Sequence, residues 1–169
     1  MEYTSTHAEF SDDRKYRYTL ERRWGLPSPT IMFICLNPST ADEKLDDPTI
    51  RRCVGFSDRE GFQNMILCNI FAFRATDPKD MKAAEYPIGA DNDMWIKKIA
   101  KDAKKIVLAW GTHGDYLKRE DQVVAMLRTY VLTLNLLGKP LYCLGTTINR
   151  HPKHPLYLAK NTSLIEYKY

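Results

Sequence analysis

Thr30-Ile31-Met32-Phe33-Ile34-Cys35-Leu36 runs apolar from its second residue without alternation and stops at Asn37-Pro38-Ser39-Thr40. A half-exposed strand alternates apolar with polar side chains, whereas a short unbroken run ended by a turn signal reads as a strand covered on both faces. Three later stretches read the same way: Asn64-Met65-Ile66-Leu67-Cys68-Asn69-Ile70, Ile106-Val107-Leu108-Ala109-Trp110 and Lys139-Pro140-Leu141-Tyr142-Cys143-Leu144. Helical patterns separate them. Asp47-Pro48-Thr49-Ile50 offers a capping acid and a proline at the first helical position, for a helix ending near Gly61. Asp91-Asn92-Asp93 caps a helix through Lys104, with Trp95, Ile96, Ile99, Ala100 and Ala103 at three- and four-residue spacing. Tyr116 to Leu137 reads as a third helix, with Val123, Val124, Leu127, Val131, Leu134 and Leu137 inward and Gly138 as its stop. Pro78 and Pro87 make 71–89 a long irregular connection. The order predicts an α/β fold: a three-layer α/β/α sandwich around a central, mainly parallel four-stranded sheet.

The 169 residues suit one domain, 1–169. Residues 1–29 read as an N-terminal extension packed on it. Within it Tyr16-Arg17-Tyr18-Thr19-Leu20-Glu21-Arg22-Arg23-Trp24 alternates like an exposed strand, and Gly25-Leu26-Pro27-Ser28-Pro29 turns. No run approaches the roughly 18 apolar residues that span a bilayer, and the first residues lack the apolar centre of a secretory signal. A cytoplasmic protein without membrane contact is expected, as a monomer. Net charge is +4, from 25 basic and 21 acidic residues, which neither demands nor excludes a nucleic-acid partner. The lysines between 97 and 105 suit a solvated helix face, while Asn149-Arg150-His151-Pro152-Lys153-His154 mixes residues suited to a site loop. Cys35, Cys53, Cys68 and Cys143 never approach metal-knuckle spacing, so buried reduced thiols are expected.

In a parallel sheet, ligands bind beyond the carboxyl ends of the strands. Four segments should therefore converge: Asn37-Pro38-Ser39-Thr40, Asn69-Ile70-Phe71-Ala72-Phe73-Arg74, Gly111-Thr112-His113-Gly114, and Thr146 to Leu156. Each alone has an ordinary structural explanation, such as an Asn-Pro turn, an asparagine serving nearby backbone, or a surface histidine. Four polar strand ends in succession are what one pocket requires.

These residues resemble the uracil-DNA glycosylase superfamily over roughly Ile31 to Leu158. Cys35-Leu36-Asn37-Pro38-Ser39 is similar to its Gly-x-Asn-Pro-Gly motif, and Leu67-Cys68-Asn69-Ile70-Phe71-Ala72-Phe73-Arg74 to its Leu-Leu-Asn strand end and following Val-Arg. Trp110-Gly111-Thr112-His113 resembles Trp-Gly-Ser-His, and His151-Pro152-Lys153-His154-Pro155-Leu156 resembles His-Pro-Ser-Pro-Leu with one residue added. The resemblance implies an enzyme that flips a base from DNA and hydrolyses its N-glycosidic bond without metal or cofactor. Asn37 would orient the water, Asn69 would read the base edge, and His151 or His154 would donate toward the departing base. Ser39, Thr40, Phe71 and His113 would complete the substrate pocket. Leu156 would wedge into the stack, with Arg150, Lys153, Pro155, Arg51 and Arg74 against the DNA and Pro38 and Pro152 stiffening the loops.

Two departures from the uracil-specific branch shape the expectation. Its motif-one aspartate is Asn37 here, leaving water activation to positioning or to Asp42, Asp46 or Asp47. Its pocket-closing tyrosine is Ser39 here, so a mismatched or 5-substituted pyrimidine is expected rather than plain uracil. The chain also resembles a family of uncharacterised bacterial and phage proteins that share Asp46-Asp47-Pro48-Thr49-Ile50-Arg51-Arg52, Arg74-Ala75-Thr76-Asp77-Pro78 and His154-Pro155-Leu156-Tyr157. Asp46 to Arg52 reads first as a helix start, with entry of its acids and arginines into the site as the other reading. A hydrolase or transferase of free nucleosides or nucleotides and a non-catalytic binder of DNA or modified nucleotides stay open as alternatives. Neither Cys35 nor Ser39 shows a nucleophile's His–Asp relay.

Overall fold

A computed structural model describes residues 1–133 and 139–168, the side chains of 131–133 excepted. Along them run β1 (Ser5–Phe10), β2 (Arg17–Arg23), β3 (Thr30–Cys35), α1 (Pro48–Arg59), β4 (Asn64–Asn69), α2 (Pro78–Ala83), α3 (Asn92–Asp102), β5 (Lys105–Leu108), α4 (Arg119–Thr133), β6 (Leu141–Cys143) and β7 (Ile165–Glu166). Two 3₁₀ segments lie at Thr112–Lys118 and Pro155–Tyr157.

The four strands expected from apolar runs are present and parallel, β3 between β4 and β5, with β6 beyond β5. β3 divides the core by strand periodicity. Met32 and Ile34 pack with Met81 of α2, Ile96 and Ala100 of α3, and Val123 and Leu127 of α4. Ile31, Phe33 and Cys35 face Ile50, Cys53, Val54 and Phe56 of α1. Helices thus cover both faces.

The sheet itself differs from the expected four-stranded one. Among the described residues it is mixed and seven-stranded, in the order β1-β2-β4-β3-β5-β6-β7, with β1, β2 and β7 antiparallel to their neighbours. The N-terminal region is therefore part of the sheet rather than an extension laid upon it, and β2 is an interior strand rather than an exposed one. Its arginines explain the misreading. Arg17 and Arg22 are both buried. Arg22 donates from Nε to Asp46 Oδ1 at 2.8 Å and from Nη2 to Asp42 O at 2.6 Å. Arg17 donates from Nη1 to Ala41 O at 2.9 Å and from Nη2 to Asn69 Oδ1 at 3.3 Å, while its Nε has no partner. Burial pulls Arg17 down to about 10, which still leaves it charged at neutral pH.

Smaller differences have local causes. The 71–89 connection contains α2, started by Pro78 and by Asp77 Oδ1 accepting from Lys79 N at 2.8 Å. α3 stops at Asp102, and Asp91 makes no side-chain cap bond. Asn92 turns inward instead, donating to Asn69 O at 2.9 Å and Ile70 O at 3.1 Å. The helix expected from Tyr116 begins as α4 at Arg119, because Tyr116 and Leu117 are non-helical. Leu134, Leu137 and Gly138, and the side chain of Val131, lie outside the described residues. All four cysteines are buried and unpaired. No helix among the described residues is long and apolar enough to cross a membrane.

Removing Arg22 while keeping Asp46 leaves a carboxylate desolvated without its partner. Arg22→Met should lower the unfolding free energy by about 3–5 kcal/mol. Urea denaturation measures this; a loss under about 1 kcal/mol would show that the pair does not hold the fold.

Candidate functional site

The carboxyl ends of β3, β5 and β6 meet the first turn of α1 around a cavity of about 880 Å³. Three of the four predicted segments reach it, supplying Asn37, Ser39 and Thr40 after β3, His113 after β5, and Lys153, His154 and Leu156 after β6. Asp47 joins them from the cap of α1.

Asn37 is fixed by the backbone. Its Nδ2 donates to Ala75 O at 2.7 Å and to Pro38 O at 3.1 Å. Both partners are carbonyl oxygens, so the amide orientation is forced and Oδ1 is the free end.

The two histidines separate. His151 Nδ1 donates to Glu120, at 2.8 Å from Oε1, and Glu120 Oε2 also accepts from Trp110 Nε1 at 2.8 Å. His151 thereby ties the loop after β6 to α4 and to the cavity wall at Trp110, and does not itself line the cavity. His154 does. Its Nδ1 accepts from Leu156 N at 3.3 Å, which places the proton of the neutral ring on Nε2. Burial holds His154 below the ordinary imidazole range, and the Asp47 carboxylate acts in the opposite sense. Gly111 makes room for it. A Cβ at that residue, whose φ is +76°, would stand 3.3 Å from His154 Cβ.

The three candidate acids also separate. Asp42 Oδ1 accepts from Lys44 N and Leu45 N, both at 2.8 Å, and those bonds hold its carboxyl below the usual range. Asp46 pairs with Arg22 and accepts from the Tyr3 hydroxyl. Asp47 Oδ1 accepts from Ile50 N at 2.9 Å as the cap of α1, and Asp47 is the only carboxylate among the described residues lining the cavity. The stretch from Asp46 to Arg52 is thus both a helix start and part of the cavity wall.

Other predicted residues lie elsewhere. Asn69 is buried and does not line the cavity, its Oδ1 taken by Arg17. Phe71 is in the core against Tyr116, ring centroids 5.8 Å apart. Arg74 donates to Arg14 O at 3.2 Å and sits 5.0 Å from the Phe10 ring, on the hairpin side. Arg51 donates to Asp46 O at 2.6 Å, and Pro155 is buried.

Sequence reasoning missed two contributors, Tyr157 and Ile148, and gave a third, Arg52, only as part of the stretch from Asp46 to Arg52. Arg52 donates to Pro155 O at 3.3 Å and to Leu158 O, so α1 grips the segment carrying His154 and Leu156. Its place one turn behind the Asp47 cap was the available signal. Tyr157 lines the cavity mouth with 83% of its surface exposed. Ile148, 98% exposed, stands at the tip of a tight turn in which Thr147 N donates to His151 O at 2.9 Å and Arg150 N to Thr147 O at 3.0 Å. Arg150, exposed and held at φ 64°, flanks it.

No group of three or more His, Cys, Asp or Glu side chains that could hold a metal ion occurs among the described residues.

No curated protein and no solved structure matches the chain. The model of one family, described as a protein of unknown function (DUF1643), matches residues 17–156, from the first residue of β2 to Leu156 at the cavity. That span includes β2 to β6, α1 to α4 and almost all of the cavity wall, and the chain belongs to the DUF1643 family.

Proposed function

We propose that this cavity hydrolyses the N-glycosidic bond of a flipped mismatched or modified pyrimidine in DNA. The observation that carries the reading is a pair of opposed polarity: a fixed amide oxygen on Asn37 and an Nε2–H donor on His154 line one cavity. Base hydrolysis needs that combination. Positive charge grows on the sugar and negative charge on the departing base, so an acceptor must orient water while a donor meets the base. The four motif resemblances to the uracil-DNA glycosylase superfamily support it. At about 880 Å³ the cavity has room for a nucleoside with a substituent on its base, consistent with Ser39 where the uracil-specific branch has tyrosine. Because Asn69 is bound to Arg17, reading of the base falls to polar side chains of the wall such as Ser39, Thr40, Thr76 and His113. Lys153 and Arg150 would meet phosphates, with Leu156, Tyr157 and Ile148 against the exposed stack. Binding without cleavage is the second reading, favoured by that same engagement of Asn69.

Oligonucleotides carrying uracil, 5-hydroxymethyluracil and larger 5-substituted pyrimidines, paired and mispaired, followed by alkaline cleavage of abasic sites, separate these readings. Abasic product is expected from the substituted bases. Product from plain uracil alone overturns the roomy pocket, and DNA binding without product from any base leaves the second reading. Asn37→Ala and His154→Ala should each slow single-turnover excision by about 10²-fold or more with little change in DNA affinity. Lys153→Ala should weaken binding evenly across sequences and reduce the salt dependence by about one phosphate contact.

The pH dependence has a fixed sign. The working form of His154 is neutral, and protonation would convert Nδ1 from acceptor to donor and break the bond from Leu156 N. Since burial lowers its pKa, excision should persist as pH falls through about 6.5 and fail only below it. A pH–rate profile measures this; an acid limb centred above 6.5 would count against His154 as the donor.

A further inference from the structure

Asn37 can orient a water but cannot take its proton at neutral pH, so hydrolysis in this cavity lacks an acceptor if Asn37 works alone. Asp47 enters the same space from a different element. One of its oxygens, Oδ1, is engaged with Ile50 N at 2.9 Å; Oδ2 has no hydrogen-bond partner among the described residues. Asp42 and Asp46 stand within a few residues, yet neither lines the cavity and both are held by the fold, through Lys44 N and Leu45 N in one case and Arg22 and Tyr3 in the other. Proline at 48 puts the carboxylate at the mouth of the first helical turn, next to Thr49 in the cavity wall.

We propose that Asp47 is the catalytic proton acceptor of this cavity, its cap bond fixing one carboxylate oxygen while the other receives the proton of the attacking water. The inference rests on the base-hydrolysis reading above. In the step, the water oxygen bonds to the anomeric carbon and the carbon–nitrogen bond breaks, its electron pair leaving on the base. The water proton passes to Asp47 Oδ2. The base leaves as an anion hydrogen-bonded by His154 Nε2–H, then takes a proton from solvent as Asp47 releases its own. Two roles on one residue explain why the cap here is an acid: Asn or Ser would start the helix as well, but neither accepts a proton. Asp47 also acts electrostatically on His154, and Lys153, His113 and Tyr157 are the other titratable groups of the wall near them.

Asp47→Asn separates the roles, since asparagine caps a helix as well as aspartate does. Single-turnover excision is measured beside thermal melting, and the His154 ring is titrated by ¹⁵N NMR in wild type and variant. Expected are a loss of at least about 10²-fold in excision, an unchanged melting temperature, and a lower His154 titration midpoint once the opposing charge is gone. Excision by Asp47→Asn at the wild-type rate overturns the role of Asp47 and leaves base hydrolysis standing. If wild type excises no base, the base-hydrolysis reading falls, and the titration decides the rest. A shifted midpoint then supports Asp47 and His154 as an acid–base pair acting on another substrate, and an unshifted one overturns it.

Discussion

Two buried guanidiniums on β2 hold the segment on which the site is built. Between β3 and α1 the chain runs from residue 36 to 47 without a ladder of its own, and its backbone carbonyls need partners wherever they are buried. Arg17 meets Ala41 O, and Arg22 meets Asp42 O, Leu45 O and the Asp46 carboxylate. A guanidinium presents five donors in a rigid fork, so each arginine fixes several points of the loop at once. Burying such a charge is costly unless its donors find acceptors, and here the loop provides four of the six, with Asn69 Oδ1 and Glu21 O the other two. Asn37 leads into this pinned segment and Asp47 ends it, so the spacing of the two side chains depends on β2.

α1 secures the opposite wall. Its first turn borders the cavity, and farther along Arg52 binds Pro155 O and Leu158 O while Arg59 binds Lys160 O and Thr162 O. The Arg52 guanidinium also lies 4.9 Å from the Phe56 ring, which orders it before it reaches the carbonyls. From the sheet side, Gly111 N donates to Pro152 O at 2.8 Å and Lys153 N to Gly145 O at 2.9 Å. Both walls are held at backbone carbonyls, and Asn37 and His154, each fixed by a backbone bond of its own, line the interior with Lys153. A cavity held this way is preorganised, the condition under which fixed dipoles stabilise developing charge without reorganising.

What the sequence made legible follows the physics of burial. The four parallel strands are covered on both faces by helices, and their unbroken apolar runs announced that. The Asp47 cap and its proline announced α1, and the polar strand ends at Asn37, His113 and Lys153 to Leu156 do gather at one cavity. Arg17 and Arg22 concealed the interior position of β2, because an arginine in an alternating segment reads as solvent-facing unless its acceptors, some twenty residues later in an irregular loop, are known. Asn69 was misplaced for the same reason: its partner is Arg17, distant in sequence. His151 and His154 were indistinguishable by type and spacing; Glu120, thirty-one residues before His151, takes the first, while the second lines the cavity.

The family match opens at Arg17 and closes at Leu156, so both outermost strands, β1 and β7, fall beyond it. β1 then acts as a sheath. It covers the outer edge of β2, the strand carrying the two buried cations, and moves the sheet's open border to a strand whose His7 and Glu9 lie paired at 2.8 Å on the surface. Charged side chains on a border strand discourage the strand of another molecule from adding to it. A protein trimmed to the shared span would keep the cavity residues up to Leu156 but expose β2 as a bare template. Self-association through that strand would then pull on the arginines that set the loop, coupling the protein's tendency to aggregate to the shape of a pocket at the strand ends.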